Sequence, residues 1–286
     1  MSKPNQTIAT QKDMSEPPAE GFQFQQQGVC KNCGEAFGAW VFSKEGPMYG
    51  FPIPYLCSCR SEQAERERQQ SLATKKRDKE RALERVRERY LETLPRGLHV
   101  ARVNNYHIRP ELSQKEQNSC KAAKGAAADY IRALQQNIIA GRGLILIGNT
   151  GVGKSHLAAA IGNAAATIGY GTRFVNAQDL IQELRACEYG DTSGVMIPLK
   201  RCSFLIFDDI GTEWVPESGS GWVLAQINEI VKCRNANRKP TIFTTNLLPE
   251  EIQERYTGRT ADCILEAGLN QIVKIACKSY RQKEGI

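Results

Sequence analysis

Gly148-Asn149-Thr150-Gly151-Val152-Gly153-Lys154-Ser155 fits the pattern G-x-x-x-x-G-K-[ST]. The apolar run Leu144-Ile145-Leu146-Ile147 leads into it, and a helix-forming stretch beginning at His156 leads out. A strand, a glycine-rich turn and a helix, in that order, form the setting in which this pattern holds phosphate. The glycines let the backbone bend until successive N–H groups face phosphate oxygens, and the helix adds the positive end of its dipole. Lys154 in such a loop reaches the β- and γ-phosphates, and the Ser155 hydroxyl ligates Mg²⁺. Residues 148–155, with His156 directly after them, are therefore the candidate nucleoside-triphosphate site.

Downstream of the loop, strand-like runs at 172–176, 203–208, 241–245 and 271–276 alternate with helical stretches. With the strand at 144–148 this predicts an α/β fold whose parallel sheet is covered on both faces. Phe204-Leu205-Ile206-Phe207 ends in Asp208-Asp209. Acidic residues at the carboxyl ends of buried strands sit where ligands bind in such sheets. Asp208 is the candidate Mg²⁺ holder, and Asp209 the group that orients or deprotonates the attacking water. A third strand ends in Thr244-Thr245-Asn246. An asparagine there donates and accepts at once, so it can respond to the γ-phosphate.

The 286 residues leave room for one substantial core and a small module, and 41% hydrophobic content supports that core. A net charge of +7 permits a nucleic-acid partner without requiring one. The polar start lacks the apolar centre of a signal peptide, and no apolar run reaches membrane-spanning length. Ten cysteines in such a chain imply reduced thiols or metal ligands, and a cytoplasmic protein with no membrane partner.

Residues 1–28, rich in Gln, Pro and Ser, read as a disordered tail in which Phe22 and Phe24 stand out. Residues 29–59 carry Cys30, Cys33, Cys57 and Cys59, four thiolates that can close a tetrahedral Zn²⁺ site. The C-x-C spacing of the second pair is tighter than usual, and an iron–sulfur cluster or unligated core cysteines are the alternatives. Residues 60–92 form a charged helical linker. Its first 31 residues, 60–90, hold eleven basic and seven acidic side chains, with Leu83, Val86 and Tyr90 as an apolar stripe near the end. Candidate positive positions elsewhere are Lys200-Arg201 and the run from Arg234 to Lys239.

The phosphate loop, the Asp208-Asp209-Ile210-Gly211 strand end and the Pro240-Thr-Ile-Phe-Thr-Thr-Asn246 strand together resemble AAA+ ATPases. More narrowly, the chain resembles the DnaC/DnaI-type bacterial replicative helicase loaders and the neighbouring IstB-type transposition ATPases. Leu94-Pro95-Arg96-Gly97 through Asn105-Tyr106, and Lys278-Ser279-Tyr280-Arg281, carry the likeness to both ends of residues 93–281. The resemblance implies an ATPase domain over 93–286, with a five-stranded sheet in the order 5-1-4-3-2 and ATP with Mg²⁺ as ligand. It implies single-stranded DNA and a hexameric replicative helicase as partners, with possible self-assembly on the partner. It gives Asn246 the sensor-1 role and Arg281 the sensor-2 role near the γ-phosphate. The N-terminal zinc module is likewise what a DnaI-type loader uses to engage its helicase. The chain departs from the family at Cys263, where a second arginine four residues after Arg259 normally acts on a neighbour's ATP. Arg259 or Arg234 would have to substitute, or turnover would be slow.

Overall fold

The structure is a computed structural model that describes residues 22–31, 33–42, 53–55, 58–187, 191–213, 220–256, 258–266 and 268–280. At 42, 53–55, 58–62, 64 and 220 it describes the backbone alone. The chain divides into two compact units, Met1–Lys79 and Glu80–Ile286.

Unit one contains an antiparallel sheet of β1 (Phe22–Val29), β2 (Ala36–Phe42) and β3 (Ile53–Tyr55), with β2 in the centre. β1 lies inside the stretch expected to be disordered, so that expectation is corrected for 22–28. Phe22 is buried, and Phe24 pairs across the strands with Trp40 at a ring separation of 5.3 Å. Cross-strand aromatic pairs of this kind stabilise a strand such as β1, half of whose residues are glutamine. Gly38 lets the strands close: a Cβ there would stand 2.1 Å from the Gln25 carbonyl oxygen. Residues 1–21 fall outside the described residues.

Helix α1 (Ser58–Thr93) forms over the predicted linker, and its charge pattern explains it. Gln63 and Glu67, and Glu65 and Gln69, bond at the four-residue helical spacing. Its Tyr90 is fully buried, donates to the Ala159 carbonyl at 3.4 Å, and ends the expected apolar stripe.

Unit two is an α/β sandwich. Five parallel strands, β4 (Gly143–Gly148), β5 (Thr172–Asn176), β6 (Phe204–Ile210), β7 (Thr241–Thr245) and β8 (Asn270–Ile275), lie in the order β5-β6-β7-β4-β8. Counted within the sheet and read from the other edge, this is the expected 5-1-4-3-2. The continuous apolar runs are explained by burial on both faces. Leu144, Leu146, Phe204, Ile206 and Ile242 pack on one side, with α2 (Gln114–Arg132) and α4 (Lys154–Thr167). Ile145, Ile147, Leu205, Phe207 and Phe243 pack on the other. That second face is covered by α5 (Ala177–Ala186), α6 (Ser193–Arg201), α7 (Ser220–Ala236), α8 (Pro249–Arg255) and α9 (Arg259–Leu265), while α3 (Leu134–Ala140) follows α2. Among the described residues no helix is long and apolar enough to cross a membrane.

The basic run 234–239 is not a uniformly exposed surface. Arg234 is 1% exposed and donates to the carbonyls of Leu199, Cys202 and Pro240 at 2.7–2.9 Å, and to Thr241 Oγ1 at 2.9 Å. It staples α7 to the end of α6 and to β7, so neither DNA contact nor a trans-acting role is open to it. Lys239 donates to the Arg201 carbonyl at 2.6 Å, and Lys200 is ion-paired with Glu229. Replacing Arg234 with Met keeps most of the volume but strands three buried carbonyls. Arg234→Met is expected to lower unfolding free energy by about 3 kcal/mol or more in urea titration, and a loss under about 1 kcal/mol would refute the staple.

Candidate nucleotide site

β4 ends at Gly148, where a Cβ would stand 2.4 Å from the Ile275 carbonyl oxygen of the neighbouring strand. The turn that follows uses Gly151 (φ 80°) and Gly153 (φ 92°) in the left-handed region, and Gly153 caps α4. A Cβ on Gly153 would also strike the Tyr106 ring at 2.6 Å. Val152 turns its side chain into the core, and its carbonyl accepts the Tyr106 hydroxyl at 3.0 Å.

Lys154 is 5% exposed, and its ammonium makes three short hydrogen bonds. They run to the Gly148 carbonyl at 2.8 Å, the Asn149 carbonyl at 3.0 Å and Asn246 Oδ1 at 2.6 Å. The Asn246 amide in turn donates to Thr150 Oγ1 at 3.3 Å. β7 lies beside β4 in the sheet, with Ile147 opposite Thr245, which brings the residue after each strand to the same edge. A phosphate oxygen is a charged acceptor and competes with neutral carbonyls and Asn246 for the same ammonium.

β6 runs two residues further than the sequence predicts. Its register against β7 shifts between Phe207 and Ile210, a bulge that aims the two carboxylates. Asp208 is 5% exposed, accepts the Thr244 hydroxyl at 2.7 Å and is hydrogen-bonded by the Ser155 side chain. Thr244 Oγ1 also accepts the Asp209 N–H at 2.8 Å, so one buried hydroxyl spans both acidic residues. A hydroxyl and a carboxylate in contact are the oxygen donors that suit Mg²⁺, so Ser155 and Asp208 fit that ion. Burial, reinforced by the charge of Asp209, pushes the Asp208 carboxyl up to about 6, against the pull of Thr244, Ser155 and Lys154.

A cavity of about 360 Å³ opens over the loop. Thr150, Gly151, Gly153, Lys154, Ser155, His156 and Asp209 line it, together with Leu98, Asn105, Tyr106, His107 and Tyr280. Tyr280 is tied in by its N–H to the Gly151 carbonyl at 2.8 Å and its hydroxyl to the His107 carbonyl at 2.6 Å, with Arg109 over its ring at 4.6 Å. These aromatic walls belong to segments marked in the sequence only by family likeness; nothing local announces that they meet the loop. His156 bonds to the Arg102 carbonyl at 3.0 Å and lines the same cavity. Arg281 lies outside the described residues.

Of the four cysteines predicted to hold zinc, Cys30 is buried and Cys33 exposed, on a tight turn closed by Gly34 N–H to the Cys30 carbonyl at 2.8 Å. Cys57 and the Cys59 side chain lie outside the described residues. Among the described residues, no group of three or more His, Cys, Asp or Glu gathers as a metal site. β1 and β3 both end beside the start of β2, at Val29–Ala36 and Gly38–Tyr55. The strands leading toward the two cysteine pairs therefore finish at one end of the sheet.

Sheet order, phosphate loop and acidic strand end define an AAA+ P-loop protein. The chain belongs to the family of IstB-like ATP-binding proteins, which matches residues 63–285. It is 32% identical over 119 residues to the replicative helicase loader DnaI of Bacillus subtilis, covering 41% of this chain and 37% of that protein. It is 30% identical over 146 residues to an ATP-binding protein of insertion sequence IS232 from Bacillus thuringiensis, covering 49% and 56%. It is 28% identical over 143 residues to the replicative helicase loader DnaC of Escherichia coli, again covering 49% and 56%. The chain thus spans about a third to just over half the length of these relatives. The crystal structure of a DnaC helicase loader superposes with a TM-score of 0.53 at 25% identity, covering 64% of this chain and all of that one.

The raised Asp208 carboxyl has a consequence for stability. A folded-state value above the ordinary 3.8 means the fold favours the protonated form. That contribution is complete below about pH 4 and is lost as pH rises through about 6, an effect of about 2–3 kcal/mol. In EDTA and without nucleotide, Asp208→Asn is expected to be the more stable protein at pH 8, with the gap closing near pH 4. Equal or lower stability of the variant at pH 8 would contradict this account of Asp208.

Proposed function

We propose that the chain is an ATPase that loads a hexameric replicative DNA helicase onto single-stranded DNA. The observation that carries the reading is that Lys154 and Asp209 line one cavity while Asn246 is bonded to the Lys154 ammonium, joined to the likeness to proteins named as helicase loaders. Lys154 holds the β- and γ-phosphates, and Ser155 with Asp208 would hold Mg²⁺, which would supply charge neutralisation for the phosphates. Asp209 accepts a proton from the attacking water. Asn246 exchanges its bond to Lys154 for one to the γ-phosphate, and Arg281 approaches the same group. These contacts exist only with a triphosphate, so ATP favours one conformation and hydrolysis releases it.

Arg259 is exposed at the start of α9 and is the arginine available to act on a neighbouring copy's nucleotide, because Arg234 is sealed inside. With Cys263 at the usual finger position, turnover of the isolated chain is slow, below about 1 s⁻¹. A steady-state rate of tens per second would contradict that.

Cys30, Cys33, Cys57 and Cys59 hold one structural zinc in an N-terminal module that engages the helicase. Elemental analysis is expected to find about one zinc per chain, lost on Cys30→Ser with Cys33→Ser; a metal-free protein with full helicase binding would overturn the assignment. The second reading, a transposition helper that assembles on duplex DNA and recruits a transposase, is supported by the likeness to the IS232 protein. The N-terminal cysteine module favours the loader.

Native mass spectrometry of the full chain with the replicative helicase, with and without ATP, separates the two. A discrete complex that ATP strengthens and Lys154→Ala weakens is expected of a loader. No complex, with filaments on duplex DNA in electron micrographs, is the result expected of the transposition helper.

A further inference from the structure

The turn after Asp209 is closed by a carboxylate that the sequence does not single out. Glu213 is 2% exposed, and its oxygens accept three hydrogen bonds. Oε2 takes the Gly211 N–H at 2.7 Å, and Oε1 takes Arg255 Nε at 3.1 Å and the Tyr256 hydroxyl at 2.5 Å. Arg255 Nη2 also donates to the Glu213 carbonyl at 2.5 Å. A buried carboxylate is tolerated only when paired and hydrogen-bonded, and here a guanidinium, a phenol and a backbone amide supply both.

The bond to Gly211 matters because of what precedes it. Asp209 has φ 51° and Gly211 φ 92°, both in the left-handed region, and for Asp209 that conformation costs on the order of 1 kcal/mol. Thr212 closes the same turn, donating from its N–H and its hydroxyl to the Asp209 carbonyl at 3.2 and 2.7 Å. On the far side, Arg255 ends α8 and Tyr256 follows it, and α8 begins three residues after Asn246. Thr245 Oγ1 donates to the Ile210 carbonyl at 2.7 Å, joining turn and strand end a second time. One carboxylate thus bolts the segment bearing Asp209 to the helix that descends from Asn246, while Asp209 and not Glu213 lines the nucleotide cavity.

We propose that Glu213 is a positioning residue for ATP hydrolysis, holding Asp209 in its strained conformation and fixing that turn to the helix behind Asn246. The proposal rests on the reading of Asp209 as the water-activating group. All three hydrogen bonds to the Glu213 carboxylate come from donors. In Glu213→Gln the amide NH₂ replaces one oxygen: in the Oε2 place it faces the Gly211 N–H, and in the Oε1 place it faces both Arg255 and Tyr256, of which only the Tyr256 hydroxyl can turn to accept. The substitution keeps the volume and loosens the turn.

Single-turnover hydrolysis of labelled ATP and equilibrium binding of a fluorescent ATP analogue, both on the full chain, test it. Glu213→Gln is expected to slow hydrolysis by about ten- to hundredfold, with nucleotide affinity within about threefold of the parent, because misplacement of a catalytic group acts on the chemical step. In an Asp209→Asn background the same change should add less than about twofold, since a residue acting through Asp209 has nothing left to position. Tyr256→Phe, which keeps the Gly211 bond, should cost about threefold or less. Should Glu213→Gln lose its cooperative unfolding transition, Arg255→Lys in the same two backgrounds carries the test. Unchanged hydrolysis, affinity falling in step with hydrolysis, or a full additional loss on top of Asp209→Asn would overturn the proposal. Full hydrolysis by Asp209→Asn alone would instead remove the reading of Asp209 on which it stands.

Discussion

The Lys154 ammonium sits where the ends of β4 and β7 meet, and its three hydrogen bonds set the geometry of the site. A cation that is 95% covered needs its donors satisfied, and two of its partners are carbonyls of the very loop that carries it. The third, Asn246, comes from a strand 92 residues away. Parallel pairing makes that meeting possible, because it brings the carboxyl ends of β4, β6 and β7 to one edge of the sheet. The groups proposed to meet phosphate, cation and water then lie on neighbouring strand ends rather than on side chains reaching across a gap.

Such a site works against stability. Asp208 is pressed into low dielectric beside a second carboxylate, and Asp209 adopts a left-handed conformation that a glycine would take at less cost. Both features concentrate charge and strain at the bulge of β6. The rest of the domain offsets them with two fully buried apolar layers and with polar staples such as Arg234, whose charge is met by three carbonyl groups.

What could be read from the sequence divides along physical lines. The five strands of the sheet were legible because burial on both faces leaves unbroken apolar runs, and the positions of Lys154, Ser155, Asp208, Asp209 and Asn246 near strand ends because each sits at a fixed step from such a run. Tyr106 and Tyr280 were not, since their place on the cavity wall comes from long-range bonds to Val152 and Gly151 that no local pattern encodes. Arg234 was misjudged for a related reason: a basic run reads as surface, while the helix turns one member inward onto waiting carbonyls. β1 hid within glutamines, where two phenylalanines at alternate positions were the only trace of a strand that Trp40 completes from the partner strand.

The proposed role of Asn246 is to let this domain distinguish a triphosphate from a diphosphate through its bond to the Lys154 ammonium. Calorimetric titration of the parent and of Asn246→Ala with ADP and with a slowly hydrolysed ATP analogue, both with Mg²⁺, measures that directly. The account predicts ADP affinity within about twofold for the two proteins and a loss of about tenfold, or about 1.4 kcal/mol, in triphosphate preference for the variant. An unchanged ratio of triphosphate to diphosphate affinity would contradict it.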